Sequence, residues 1–261
     1  MGLHHKKILG VTLARGGSKG VPNKNIRLLK GRPLITYTIE AAKGSKLLGE
    51  YIISTDSHEI KYIAEKSGGN CPFVRPSNLA TDTASSVAAL QHAVKFMEEK
   101  NGIKYDVVVE LMATNPFKTS EDIDACILTL LEKDADSVIA VHQLFDEHPA
   151  RIKKITDGRL EDFNIIEHPE SRRQDLTPSA YIRSGAIYAL SRDHLMEEGR
   201  RYGSKNSYPY ILDHLKSVVL DNVSLHGLDN TFWNAEVWFD GTTAKITEIN
   251  PRSASVWHQL Y

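Results

Sequence analysis

With 261 residues, 41% of them hydrophobic, the chain has room for one large α/β domain with an appendage and too little for three small domains. Its 32 Lys and Arg residues balance 33 Asp and Glu at a formal net charge of -1, which removes any global electrostatic reason to bind nucleic acid or an anionic membrane. Cys71 and Cys126 have neither metal nor disulfide spacing, and no apolar run approaches the ~20 residues that span a bilayer, so a soluble, cytoplasmic protein with reduced core thiols is expected.

The apolar run Ile8–Leu13 predicts a buried first strand. It leads into Leu13-Ala14-Arg15-Gly16-Gly17-Ser18-Lys19-Gly20-Val21-Pro22-Asn23-Lys24-Asn25, a loop with three glycines, the cations Arg15, Lys19 and Lys24, and almost no bulky side chain. That composition suits wrapping backbone N–H groups around an anion, and we read it as a phosphate cradle; a solvated turn is the plain alternative. The loop has neither the G-x-x-x-x-G-K-[ST] nor the G-x-G-x-x-G spacing, so it is not a standard P-loop or dinucleotide fingerprint.

Beyond the loop, periodicity predicts a helix over Pro33–Ala42 with Gly44 as its stop signal, and a strand over Tyr51–Asp56. A second helix follows over His58–Ser67, closed by Gly68-Gly69. Pro72–Pro76 reads as a short strand. Val87, Leu90, Val94 and Met97 mark the core face of a helix that starts in the hydroxyl-rich Thr81–Ser86, where hydroxyls can cap the helix or touch a ligand. Val107–Met112 fits a central parallel strand, Ser120 opens a helix with Ile123, Ile127, Leu130 and Leu131 inward, and Ser137–Val141 is a further strand.

This alternation predicts a doubly wound, mostly parallel sheet, in which ligands lie beyond the carboxyl ends of the strands. From about 142 to 180 the pattern breaks into a charged, turn-rich excursion that includes Asp157-Gly158, before a strand resumes at Tyr181–Leu190. Near the end, Asn234–Phe239 and Ala244–Asn250 flank Asp240-Gly241-Thr242-Thr243 as a β-hairpin. The eleven histidines form no zinc spacing, and no Ser-His-Asp order is evident.

The loop at 13–25 resembles the signature of the acylneuraminate cytidylyltransferases, the CMP-sialic acid synthetases. Four later segments agree in order: Ser54-Thr55-Asp56; Arg75-Pro76 with Leu79–Ser86; Arg172-Arg173-Gln174-Asp175; and Ser184-Gly185-Ala186-Ile187-Tyr188. The match covers residues 7 to about 215. It implies a Rossmann-like nucleotidyltransferase fold and a reaction of CTP with an acidic nine-carbon α-keto acid sugar, with Mg2+ as cofactor, giving the CMP-sugar and pyrophosphate. By position, Leu13, Ala14, Arg15, Ser18, Lys19 and Asn25 would hold the nucleotide and triphosphate, and Arg75, Ala84 and Ser86 would face the cytidine. Met112, Thr114, Arg172, Arg173 and Gln174 would meet the sugar. Arg15 and Lys19 would neutralise charge at the reacting phosphates, and Arg172 would grip the sugar carboxylate, which makes these three the candidate catalytic residues. The excursion, in this family, supports a homodimer and can reach the partner's site, so Arg172 would act in trans.

Three departures qualify the resemblance. Met112 stands where the family has a sugar-binding glutamine, and a thioether cannot make amide hydrogen bonds. Ser184 stands where asparagine is usual. The family's Asp-x-Asp metal pair is reduced to Val219 and Asp221, leaving Asp221 as the candidate metal ligand, with Asp56 and Asp82 as possible substitutes. From Val218 the tail instead resembles the closing strands of an ATP-grasp domain, with Glu236, Glu248 and Asn250 at the metal-binding positions. A segment this short cannot supply the rest of such a site, so a hairpin packed on the main domain or on a partner is expected. The leading expectation is a cytidylyltransferase domain over 1–217 that activates a sialic acid-like sugar, followed by an atypical segment over 218–261. The alternatives are a related nucleotidyltransferase for another sugar such as Kdo, and a nucleotide-binding protein without turnover.

Overall fold

The computed structural model describes residues 6–17, 22–213 and 215–217, together with the backbone of two strands at 235–239 and 244–249. Two compact units divide the chain, Met1–Asn222 and Val223–Tyr261. Element order in the first is β1 (Ile8–Leu13), β2 (Leu28–Leu29), β3 (Arg32–Pro33), α1 (Leu34–Gly44), β4 (Glu50–Ser54), α2 (His58–Lys66), α3 (Ser86–Asn101), β5 (Val107–Leu111), α4 (Ser120–Glu132) and β6 (Ser137–Leu144). Then come β7 (Lys153–Thr156), β8 (Arg159–Asp162), β9 (Ala180–Ser191), α5 (Arg192–Met196) and β10 (Ser207–Ile211).

Helix starts are written in the local sequence. Ser57 accepts from the Ile60 N–H at the head of α2, Ser85 accepts from Val87 at the head of α3, and Thr119 with Asp122 forms a reciprocal capping box on α4. Gly102 ends α3 at φ 62°, the left-handed conformation that glycine adopts without a Cβ penalty.

Six strands form one sheet in the order β10-β6-β9-β5-β1-β4, parallel throughout except that β9 runs antiparallel to both neighbours. Helices cover both faces. On one, Ile123 and Ile127 of α4 pack with Val107, Val109 and Leu111; on the other, Leu90, Val94 and Met97 of α3 pack with Leu9, Val11 and Val108. The predicted doubly wound architecture is therefore present. Leu90, Val94 and Met97 are fully buried, and each stabilises the fold by about 2 kcal/mol through apolar burial. Cys71 and Cys126 are free and buried, and burial pushes the Cys71 thiol up to about 11, away from reactivity.

Pro72–Pro76, expected as a strand, is irregular. Its two prolines cannot donate to a ladder, and only isolated bonds tie the chain here to β4 and the residue beyond it, Ile53 N–H to Asn70 O just before the segment at 2.8 Å and Arg75 N–H to Thr55 O at 2.7 Å. The excursion holds a separate hairpin, β7 against β8, turning at Asp157 (φ 50°) and Gly158 (φ 75°), the two positive values that a type I′ turn requires. Ile155 and Leu160 face each other across it at 79% and 77% exposed. In the second unit, β11 (Ala235–Phe239) and β12 (Ala244–Ile249) pair antiparallel as the predicted hairpin. No helix of the described residues is long and apolar enough to cross a membrane.

Candidate active site

A cavity of about 630 Å3 opens where β1 and β5 end, and six of the nine residues expected to meet CTP line it. β1 passes into the loop while its ladder continues, Ala14 N–H donating to Ser54 O at 3.0 Å. Two residues later, Gly16 N–H donates to Asp56 Oδ1 at 3.0 Å, and a Cβ at Gly16 would lie 3.0 Å from that of Ser57, a tight contact that glycine avoids. Asn25 is 6% exposed and donates its side-chain amide to Arg15 O at 3.1 Å, tying the two ends of the loop together. Arg15 spans the cavity mouth through Nη1, which reaches Thr81 O and Asp82 Oδ1, both at 3.0 Å.

The opposite wall carries Arg75, a buried cation whose Nε donates to Ser54 Oγ at 2.9 Å and whose guanidinium also bonds Ser54 O. Burial pulls its pKa down, and the nearby Asp56 carboxylate opposes that effect. Beyond β5, Met112 N–H donates to Ala186 O at 3.1 Å, and Met112 O is one of three acceptors for Lys118. Lys118 is 3% exposed, and its Nζ lies 2.7 Å from Thr38 Oγ1, 2.7 Å from Met112 O and 2.6 Å from Asn115 O. The ammonium thus has an acceptor for each N–H but no carboxylate, and burial pushes its pKa down to about 7. Thr114 Oγ1, in the same turn, is buried and finds no partner among the described residues.

Glu110 lines the cavity from within the central strand. Its Oε2 lies 2.5 Å from Arg201 Nη1, Arg201 sits 4.9 Å above the Tyr188 ring, and Tyr188 is the cross-strand partner of Glu110. Burial raises the Glu110 pKa, opposed by the charges of Arg201 and Arg75. Arg183 in turn packs 4.0 Å over Tyr202, whose ring is 6.5 Å from that of Tyr188.

Of the sequence-predicted residues, Leu13, Arg15, Asn25, Arg75, Ala84, Ser86, Met112 and Thr114 line the cavity together. Ala14 is fully buried behind it. Ser18, Lys19 and Asp221 lie outside the described residues. Arg172, Arg173 and Gln174 do not join the wall in a single chain: Arg172 makes a two-pronged pair with Asp175 at 2.9 and 3.1 Å, and Arg173 stacks 3.9 Å over Phe145. Ser184 has a structural task, its hydroxyl donating to Ala140 O at 3.0 Å and accepting from Ala186 N–H at 3.2 Å.

Glu110 and Lys118 were not among the expected site residues. The signal for Glu110 was a lone acid inside an apolar strand; for Lys118, a cation closing the segment that resembles a family block. For magnesium, the described residues hold no group of three His, Cys, Asp or Glu that could form a cluster. The carboxylates at the cavity mouth are Asp56 and Asp82, oxygen donors of the kind that suits a phosphate-bridged cation, each engaged by the loop.

A family model for cytidylyltransferases matches residues 9–211. The chain belongs to the cytidylyltransferase family. It is 40% identical over 214 residues to the CMP-N,N'-diacetyllegionaminic acid synthase of Legionella pneumophila, covering 82% of this chain and 90% of the relative. To the pseudaminic acid cytidylyltransferase of Campylobacter jejuni it is 36% identical over 193 residues, with 74% and 82% covered. A solved CMP:2-keto-3-deoxy-manno-octonic acid synthetase complexed with CTP shares the fold, at a TM-score of 0.59 and 17% identity over 79% of this chain and 90% of that one. The cations Arg15 and Arg75 and the buried amide of Asn25 line one cavity. The turn at Met112–Thr114 lines the same space.

Proposed function

We propose that this cytidylyltransferase transfers CMP from CTP to a nine-carbon α-keto acid sugar of the nonulosonic type, with a legionaminic acid-like sugar as the preferred acceptor. The observation that carries the reading is the single cavity in which Arg15, Asn25 and Arg75 meet Met112 and Thr114, so that nucleotide and sugar segments face one space. The names of the two relatives above support the sugar class. In the reaction the sugar's anomeric hydroxyl attacks the α-phosphorus in line, and the bond to the bridging oxygen of the leaving pyrophosphate breaks. Arg15 and Lys19 neutralise charge that builds on the phosphates, while Asn25 holds the backbone from which Arg15 projects.

Magnesium, when bound, would share the phosphate charge, with Asp221 as its carboxylate and Asp56 and Asp82 as the described alternatives. A homodimer built on the excursion completes the reading, since Ile155, Leu160, Phe163 and Ile166 are all more than half exposed there. In it, Arg172 and Arg173 meet the sugar carboxylate in the partner's cavity. The reading places the enzyme in the cytoplasm.

Pyrophosphate release from CTP in the presence of magnesium and a panel of nonulosonic acids tests the reaction, and folded protein silent on the whole panel refutes it. Mixing R172A with K19A subunits tests the shared site: heterodimers regain activity if Arg172 acts in trans, and no recovery rejects that role.

A further inference from the structure

Glu110 is 2% exposed in the middle of an otherwise apolar central strand, yet it forms part of the cavity wall. Arg201 pairs with it at 2.5 Å and is itself held over Tyr188. Folding alone gives no reason for such a pair, because two well-packed apolar side chains of similar size hold a core as well or better. Its position gives one. Glu110 and Met112 lie two residues apart on the same face of one extended stretch, so the pair flanks the segment expected to meet the sugar. The neutral group that matches a carboxylate beside a guanidinium is a secondary amide, whose N–H donates to the acid while its carbonyl accepts from the cation. A hydroxyl must donate and accept through one oxygen, whereas the amide reaches the two charged groups with two separate atoms.

We infer that the Glu110–Arg201 pair is a specificity determinant that reads an acylamido substituent of the acceptor sugar. This rests on the nonulosonic acid reading above and adds which part of the sugar is selected.

The test compares kcat/KM for N,N'-diacetyllegionaminic acid with that for a nine-carbon 3-deoxy α-keto acid carrying hydroxyls in place of both acylamido groups. The wild type, the isosteric E110Q and the apolar double variant E110L/R201M are compared, with the Tm of each protein alone reporting its fold. The ratio is expected to fall about 10- to 100-fold in the double variant, the loss of hydrogen bonds to charged groups, and by less in E110Q. An unchanged ratio in folded variants overturns the inference, as does a change in the preference for CTP over UTP, which would put the pair at the base instead. Wild-type protein silent on both sugars overturns the parent reading and this one with it, whereas active wild type with an unaltered ratio in the variants overturns only this one.

Discussion

The loop at the end of β1 and the excursion between β6 and β9 both carry clustered cations, but they treat them in opposite ways. Around the loop, the chain supplies its own scaffolding: Asn25 binds the backbone at Arg15, Asp56 binds Gly16, and Arg75 is clasped by Ser54. In the excursion, Arg172 is 71% exposed and satisfied by its neighbour Asp175, while Ile155 and Leu160 stand in solvent on the hairpin. One chain suffices to organise the wall around the loop. The excursion leaves apolar side chains exposed, and the proposed dimer is what would cover them.

The most severe way to break the first half is R75A, which removes the buried cation from between Asp56 and Glu110. It is expected to lower kcat/KM for CTP about 100-fold, as for other buried charge partners, in a pyrophosphate-release assay. A loss under threefold would put the nucleotide elsewhere.

Next in size is the double variant I155D/L160D, which leaves the loop untouched and charges the hairpin. Light scattering should report monomers, and the sugar kcat/KM should fall about tenfold while the rise in Tm produced by CTP persists. If the two halves failed together, the contrast between them would be wrong.

A smaller effect is expected from N25A, which frees the Arg15 carbonyl. One hydrogen bond is worth about 1 kcal/mol, so the KM for CTP should rise about fivefold with little change in the KM for the sugar.

The smallest effect concerns Lys118. Its folded pKa of about 7 lies below the ordinary 10.5, so between these values the unfolded chain binds more protons than the folded one. Stability contributed by this group is therefore complete above pH 10.5 and declines as pH falls through about 7. Calorimetry of wild type and K118M should show the difference in Tm moving in favour of the wild type by a few degrees from pH 7 to pH 9. A constant difference would mean that the buried ammonium is not what titrates.

Much of this organisation was legible in the sequence because helices and strands bury different periods. Val87, Leu90, Val94 and Met97 announce a helix, and Val107–Leu111 a strand buried on both faces. Five loop and wall positions, Arg15, Asn25, Arg75, Ala84 and Ser86, were also readable, since their order in the chain resembles the family and the fold brings them to one cavity. Periodicity could not find Glu110, because a single acid in a run of valines looks like noise until its partner ninety-one residues away is known. Nor could it find Lys118, whose three acceptors include two carbonyls exposed to it only by the turn they make. Pro72–Pro76 was misread because its apolar residues suggested a strand that its prolines forbid.

The junction of β6 and β9 carries one more consequence. Val141 lies opposite Arg183 and Ile139 opposite Tyr188, so an advance of two residues on one strand (141 - 139) meets five on the other (188 - 183), and Gly185 takes φ 69° inside that stretch. Five is odd, and in an unbroken strand residues 183 and 188 would point to opposite faces. Here Arg183 and Tyr188 both lie beside Tyr202. The irregularity acts as a phase inverter, switching which side of the sheet the odd-numbered residues address. An unbroken strand over the same residues would therefore send Arg183 and Tyr188 to opposite faces and divide that cluster, although every side chain that builds it would still be in the sequence.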